Sequence, residues 1–174
     1  AFTTVEFLVE AGGGSLSHEG NSGPVVSSVS VETDENGEAE PPAWTLGTVS
    51  GPNRLRVSAG EAPPAFVTAE GVAGPVAFLG KTAGDGQTGT VSGPLPSPLV
   101  VLLRDGFGNP VPAVQVEFAP TPGSGSTNPA VAVSQSDGRA SAQWTLGPAL
   151  GPHELTASYP PTGIVIFGAT AQAP

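Results

Sequence analysis

Ser136-Asp137-Gly138-Arg139-Ala140-Ser141-Ala142-Gln143-Trp144-Thr145-Leu146-Gly147, followed by Gly151-Pro152, is the stretch whose reading decides the fold. It has an earlier copy: Glu35-Asn36-Gly37-Glu38-Ala39-Glu40-Pro41-Pro42-Ala43-Trp44-Thr45-Leu46-Gly47, followed by Gly51-Pro52. Both tryptophans of the chain lie in these copies, 100 residues apart, about one domain length. Each copy has the same grammar. A turn pair (Asp-Gly or Asn-Gly) opens a short strand carrying a large aromatic, a glycine turn closes it, and a second strand follows. Asn36-Gly37 and Asp137-Gly138 read as hairpin turns, because these residue types tolerate positive φ.

Outward from the repeat, short apolar runs alternate with Gly/Pro punctuation. Val5, Phe7 and Val9, then Val29 and Val31 (with Val25), then Leu55, Val57 and Ala59 are spaced as half-buried strands. Ala65-Phe66-Val67-Thr68-Ala69 reads as another strand. Gly71 to Pro75 is a short, semi-stiff junction, and the boundary is placed near residue 74. Beyond it, Val76-Ala77-Phe78-Leu79 starts a strand and 98–103 is a nearly continuous apolar run, as a central strand has. Val114, Val116 and Phe118 alternate with polar residues, 130–133 is short and apolar, and 153–159 and 164–167 close the chain. No run shows helical spacing over ten residues free of Gly or Pro. The expectation is an all-β chain of two immunoglobulin-like β-sandwiches in tandem. The core of the second half is expected to be Trp144, Phe78, Val101, Leu103, Val116, Phe118, Leu155 and Phe167.

Composition sets bounds on function. Glycine (25) and proline (20) make up about a quarter of the 174 residues, near the level where disorder competes, but 38% hydrophobic residues in strand-like runs favour a folded, turn-rich protein. The absence of cysteine removes disulfides, thiolate metal sites and a cysteine nucleophile. The chain has no methionine, so Ala1 is expected to follow processing or to open a fragment; no signal peptide is read, and no apolar run approaches the ~20 residues of a membrane span. A net charge of −10 with five cations repels phosphate backbones, so no nucleic-acid partner is expected. Residues 1–74 carry ten acids and two bases, residues 75–174 five and three. This acidity reads as solvation of a secreted protein.

The motif Val101-x-x-Arg104-Asp105-x-Phe107-Gly108-Asn109-Pro110-Val111-Pro112, with Val116-x-Phe118, Asp137-Gly138-Arg139-Ala140, Trp144-Thr145-Leu146-Gly147 and Ile166-Phe167-x-Ala169-Thr170-Ala171, resembles a bacterial Ig-like domain of the invasin/intimin group. The resemblance covers nearly all of residues 75–174. It implies a β-sandwich found in tandem in bacterial surface and secreted proteins, acting as rod, spacer or adhesive tip without catalysis. Residues 1–74 resemble the same domain but are incomplete: Val5-Glu6-Phe7 matches Val116-Glu117-Phe118 and Trp44 matches Trp144, while nothing matches residues 76–109. Open sheet edges invite pairing. The missing part would come from a longer array, from a neighbouring subunit by strand complementation, or from cover by the second domain.

Sites are expected to be absent: no catalytic residue, no cofactor, no metal ligand. Gly84-x-Gly86-x-x-Gly89 matches the dinucleotide fingerprint but runs into Gly93-Pro94-Leu95-Pro96, where no helix forms to hold a pyrophosphate. His18 and His153 stand outside any zinc or triad spacing and read as surface residues. Asp34-x-Asn36-Gly37 starts like a calcium loop but lacks the late bidentate acid. Lys81 reads as an edge-strand guard, with a Lys81–Asn109 cross-link the rarer alternative implied by the resemblance. Phe107 is expected to tuck back into the domain end rather than stand exposed. The expected partners are other Ig-like domains, copies of the chain itself, or a host or cell-surface ligand. The expected location is extracellular or on the bacterial surface.

Overall fold

Turn-forming glycines at short intervals leave the chain no room for helices, and in the computed structural model the residues described, 2–17, 26–160 and 162–174, form strands and turns only. They divide into two units, Ala1–Ala73 and Gly74–Pro174. Among the described residues no helix is long and apolar enough to cross a membrane.

The second unit is a two-sheet sandwich. Its strands are β7 (Val76–Ala83), β8 (Gln87–Thr90), β9 (Leu99–Asp105), β10 (Gln115–Pro120), β11 (Ser126–Asn128), β12 (Val131–Val133), β13 (Arg139–Thr145), β14 (Gly151–Tyr159) and β15 (Gly163–Gln172). One sheet runs β12-β10-β14-β15-β8 and the other β11-β13-β9-β7. Strand β9 lies inside the smaller sheet because alternate side chains Leu99, Val101, Leu103 and Asp105 are all buried. Facing them from the other sheet are Val116, Phe118, Leu155 and Phe167, and Trp144, on the neighbouring strand β13, packs beside them with no exposed surface. Seven of the eight expected core residues are therefore buried. Phe78 is the exception, 53% exposed. Its strand is the sheet's edge, and a register shift between Val76 and Phe78 breaks the alternation that would have turned it inward. The ring lies instead against Gly80, where an added Cβ would come within 2.6 Å of it.

The first unit repeats part of this plan. Its strands are β1 (Thr4–Ala11), β2 (Gly14–Ser17), β3 (Ser28–Glu32), β4 (Ala43–Leu46), β5 (Gly51–Ala59) and β6 (Ala65–Gly71). The sheet order β3-β1-β5-β6 reproduces β12-β10-β14-β15, and the pair β2-β4 reproduces β11-β13. Register agrees as well: Leu55 faces Val67 across β5–β6 as Leu155 faces Phe167 across β14–β15. Strands β7, β8 and β9 have no counterpart in this unit among the described residues. The core is Val5, Phe7, Leu16, Val29 and Leu55, with Trp44, Val57 and Val31 only partly covered. Val25 of the expected β3 face, like His18, lies outside the described residues.

The turns at Gly37 and Gly138 differ from the hairpins expected of them. Only the glycine of each pair has positive φ (84° and 75°). Gly37 N–H donates to Asp34 C=O and Asp34 N–H to Glu38 C=O; Gln135, Gly138 and Arg139 repeat the pattern. These are three-residue turns closed by a left-handed glycine. They carry the chain from one sheet to the other, since β3 pairs with β1 while β4 pairs with β2. Turn chemistry dictates a local reversal, but not which sheet receives the next strand. A second glycine corner is also duplicated. Gly14 (φ 94°) and Gly125 (φ 102°) lie so close to the carbonyls of Thr45 and Thr145 that a side chain at either would overlap backbone. This corner fixes where β2 meets β4 and β11 meets β13.

Each unit receives the chain at one pole and releases it at the other. In the second unit Thr162 Oγ1 donates to Val76 C=O at 3.0 Å, so β15 begins beside the start of β7. It then runs ten residues, about 33 Å, to Gln172 beside Thr90. In the first unit β1 begins near Ala59 and β6 ends at Gly71 beside Gly51, at the far end of β5.

Candidate functional site

The residues with the most polar chemistry are used internally. Asp105, 4% exposed, ends β9 where the Asp-x-Phe-Gly-Asn-Pro run begins. Its carboxylate accepts from Phe107 N–H, Asn109 N–H, Asn109 Nδ2 and Gly74 N–H, each at 2.9 Å. These bonds, the Asn109 side chain's first, hold its pKa down to about 2. The motif is thus a staple that ties the β9–β10 corner to the residue where the second unit begins. The corner also displays Phe107. Against expectation its ring is 73% exposed, because the backbone bonds that fold the turn around Asp105 leave it projecting outward.

Other candidates resolve in the same way. His153 is buried, not on the surface, with Nε2 on Ala149 C=O at 2.9 Å; Asn53 holds the equivalent buried place in the first unit, bonding Gly47 N–H and Gly51 C=O. Both polar side chains satisfy the loop that follows the Trp-Thr-Leu-Gly block. A sequence pattern could have found this, since Asn53 and His153 each sit two residues after the paired Gly51 and Gly151. Lys81 lies on the edge strand β7, ion-paired with Asp85 and donating to Ile166 C=O. Lys81 stands opposite Val101 while Asn109 is bound to Asp105, four residues further along β9, so the structure does not bring Lys81 and Asn109 together. Gly84 and Gly86 fall in a turn and Gly89 in β8. Asp34 accepts from Asn36 and Glu38 N–H as a turn cap, the Glu38 bond leading the causes that lower its pKa. Among the described residues no group of three or more His, Asp or Glu side chains is placed to hold a metal.

The arrangement left unsatisfied is in the first unit, beside β4. In the second unit Trp144 is fully buried and its Nε1 donates to Ser124 C=O at 2.8 Å. In the first, Trp44 is half-buried and its buried Nε1 has no partner among the described residues. Trp144 C=O accepts from Leu95 N–H, and Leu146 N–H donates to Gly93 C=O. Trp44 and Leu46 have no such neighbour among the described residues, so this edge of β4 is open. Across the core, Val67 is 49% exposed where Phe167 is fully buried. The rim is acidic: an open depression of about 770 Å³ is lined by Val31, Asp34, Glu38, Ala39, Glu40 and Pro41 among others.

The fold is that of the Ig-like β-sandwiches. No protein-family model matches the chain, and no curated protein matches it. Solved structures do. The D0-D1 domain of intimin is similar at 17% identity and a TM-score of 0.41, over 96% of this chain and 78% of that one. Domains 4 and 5 of the S-layer protein SbsC are similar at 14% and 0.47, over 97% and 98%. Invasin, described as a bacterial integrin-binding protein, is similar at 21% and 0.44, over 98% of this chain but 32% of its own length.

Proposed function

We propose that residues 1–74 are an incomplete Ig-like domain and residues 75–174 a complete one. Together they form a non-catalytic structural or adhesive module of a secreted or cell-surface bacterial protein. The observation that carries this reading is the polarity of each unit: the chain comes in at one pole and leaves at the other, about 33 Å away along β15. A sandwich connected in this way extends a chain in series. The buried Asp105 staple supports it, since it fixes the point where the second sandwich begins. The partners are other Ig-like domains or a ligand on a facing surface, and the place is the cell exterior. The reading is tested by inserting one, two or three copies of the chain between a surface anchor and a fluorescent tag. Tag height above the surface should rise by a constant step per copy. A height independent of copy number would contradict the spacer role.

A second reading, an extracellular filament assembled by strand complementation between neighbouring subunits, is favoured by one observation, the open edge of β4. Light scattering with negative-stain imaging separates the two. A monodisperse monomer excludes a self-sufficient filament subunit, and regular fibres would establish one.

A further inference from the structure

We infer that the open edge and core face beside β4 accept one added β-strand from a further repeat outside residues 1–174, lying antiparallel to β4. This rests on reading residues 1–74 as an incomplete Ig-like domain.

The second unit supplies the template. There the segment preceding Trp144 pairs with β9: Arg139 with Leu102, Ala140 with Val101, Ser141 with Val100 and Ala142 with Leu99. Leu103 N–H continues the ladder onto Gly138 C=O. The first unit has the same turn, the same Trp-Thr-Leu-Gly strand and the same facing sheet, with the place of β9 empty among the described residues. Three observations, two on β4 and one on β6, converge on that place. Among the described residues the Trp44 Nε1 is buried without a partner and the backbone of Trp44 and Leu46 meets none on that side, and Val67 on β6 is exposed on its core side.

The occupant's chemistry follows. It presents branched apolar residues at alternate positions, as Leu99, Val101 and Leu103 do. It meets Glu38 and Glu40 where β9 meets the Arg139 segment, so it carries Lys or Arg at its flanks. Pro41 and Pro42 withdraw two N–H donors from this segment. Backbone pairing therefore falls mainly on Trp44 and Leu46, and apolar side chains supply most of the affinity. The same prolines blunt the edge against indiscriminate pairing. A second copy of these residues is a poor donor. The fifteen strands among the described residues already pair within their own sheets, and lending β9 would strip Leu99, Val101 and Leu103, none of which has any exposed surface, from the donor's core.

The test uses the whole chain and a peptide copying residues 93–105, which holds both β9 and the Gly93–Leu95 segment that pairs with Trp144 and Leu146, with two added lysines. With two tryptophans, the chain shows two indole N–H signals in a nitrogen-15 NMR spectrum. The peptide should shift the Trp44 indole and the Leu46 and Val67 amides saturably, leave the Trp144 indole unmoved, and a scrambled peptide should do neither. In Trp44→Phe the Leu46 and Val67 shifts should persist. In Pro41→Ala/Pro42→Ala the peptide should bind several-fold more tightly. Silence at Leu46 and Val67 up to the peptide's solubility limit would overturn the proposal, as would a moving Trp144 indole. Concentration-dependent shifts at Trp44 without peptide would make a second copy the occupant and overturn it too. If the underlying reading fails, Trp44, Leu46 and Val67 will be exchange-protected before any peptide is added. If only the proposal fails, they will be labile yet unresponsive.

Discussion

The two units differ less in their strands than in what covers them. Trp144 and Trp44 stand in the same block, on equivalent strands, facing equivalent sheets, yet one ring is fully buried and hydrogen-bonded while the other is half-covered with its N–H unpartnered among the described residues. Phe167 and Val67 repeat the contrast across the core. Sheet pairing, turn geometry and the glycine corner survive the absence of β7 to β9. Closure of the core does not. In this sandwich the recurring residues specify the scaffold, and a separate third of the domain seals it.

Substitutions at equivalent positions test that contrast. The largest difference is expected at the tryptophans. Trp144→Ala should cost the second unit about 3–5 kcal/mol, as loss of a fully buried aromatic does. Trp44→Ala should cost the first unit only about 1–2 kcal/mol, in proportion to the smaller area removed from water. Urea denaturation followed by far-ultraviolet circular dichroism, which sees the strands of both units, reads both losses, and equal losses would break the comparison. The glycine corner should instead behave alike in both units. Gly14→Ala and Gly125→Ala each force a side chain into positive φ against a carbonyl and should cost about 1–3 kcal/mol. Differential scanning calorimetry should show the two transitions falling by similar amounts.

Acid should separate the units again. The Asp105 pKa is lowered from 3.8 to about 2 in the folded state. Its contribution is therefore complete above pH 3.8 and is lost as pH falls through about 2. Asp105→Asn should lower the melting temperature of the second unit at neutral pH and flatten its decline between pH 4 and 2, with the first unit unchanged. An unaltered acid limb would mean that the staple does not hold in solution. The smallest effect is expected at Arg54, which stacks 3.7 Å from the Phe66 ring centroid and pairs with a half-exposed Glu10 at 3.0 Å. Arg54→Ala should cost the first unit no more than about 1 kcal/mol, a loss that shrinks with added salt.

Alternation and turn chemistry made most of this architecture legible in the sequence. The paired Trp-Thr-Leu-Gly blocks located β4 and β13, period-2 spacing located β1, β5 and β10, and a nearly continuous apolar run located β9. That nothing in residues 1–74 matches residues 76–109 is read directly from the sequence. Side-chain direction at irregular points was not readable. Phe78 turns outward at a register shift that no local pattern announces, and Phe107 projects because four hydrogen bonds to Asp105 are set by residues as distant as Gly74. The burial of His153 follows from a loop closing over it, a tertiary event that only its place two residues after the repeated glycine, shared with Asn53, signals in the sequence. The open edge of β4 was foreseeable as a missing partner, but its unpartnered indole and its proline-blunted geometry needed coordinates.

The central claim, one scaffold sealed in the second unit and open in the first, is tested most directly by native-state hydrogen exchange on the intact chain. The account predicts that amides of β4 and β6 exchange through openings far cheaper than those of β13 and β15, with Leu46 and Val67 among the fastest strand positions and Leu146 and Phe167 among the slowest. Equal protection at Leu46 and Leu146, and at Val67 and Phe167, would mean that the first unit is already sealed and would contradict it.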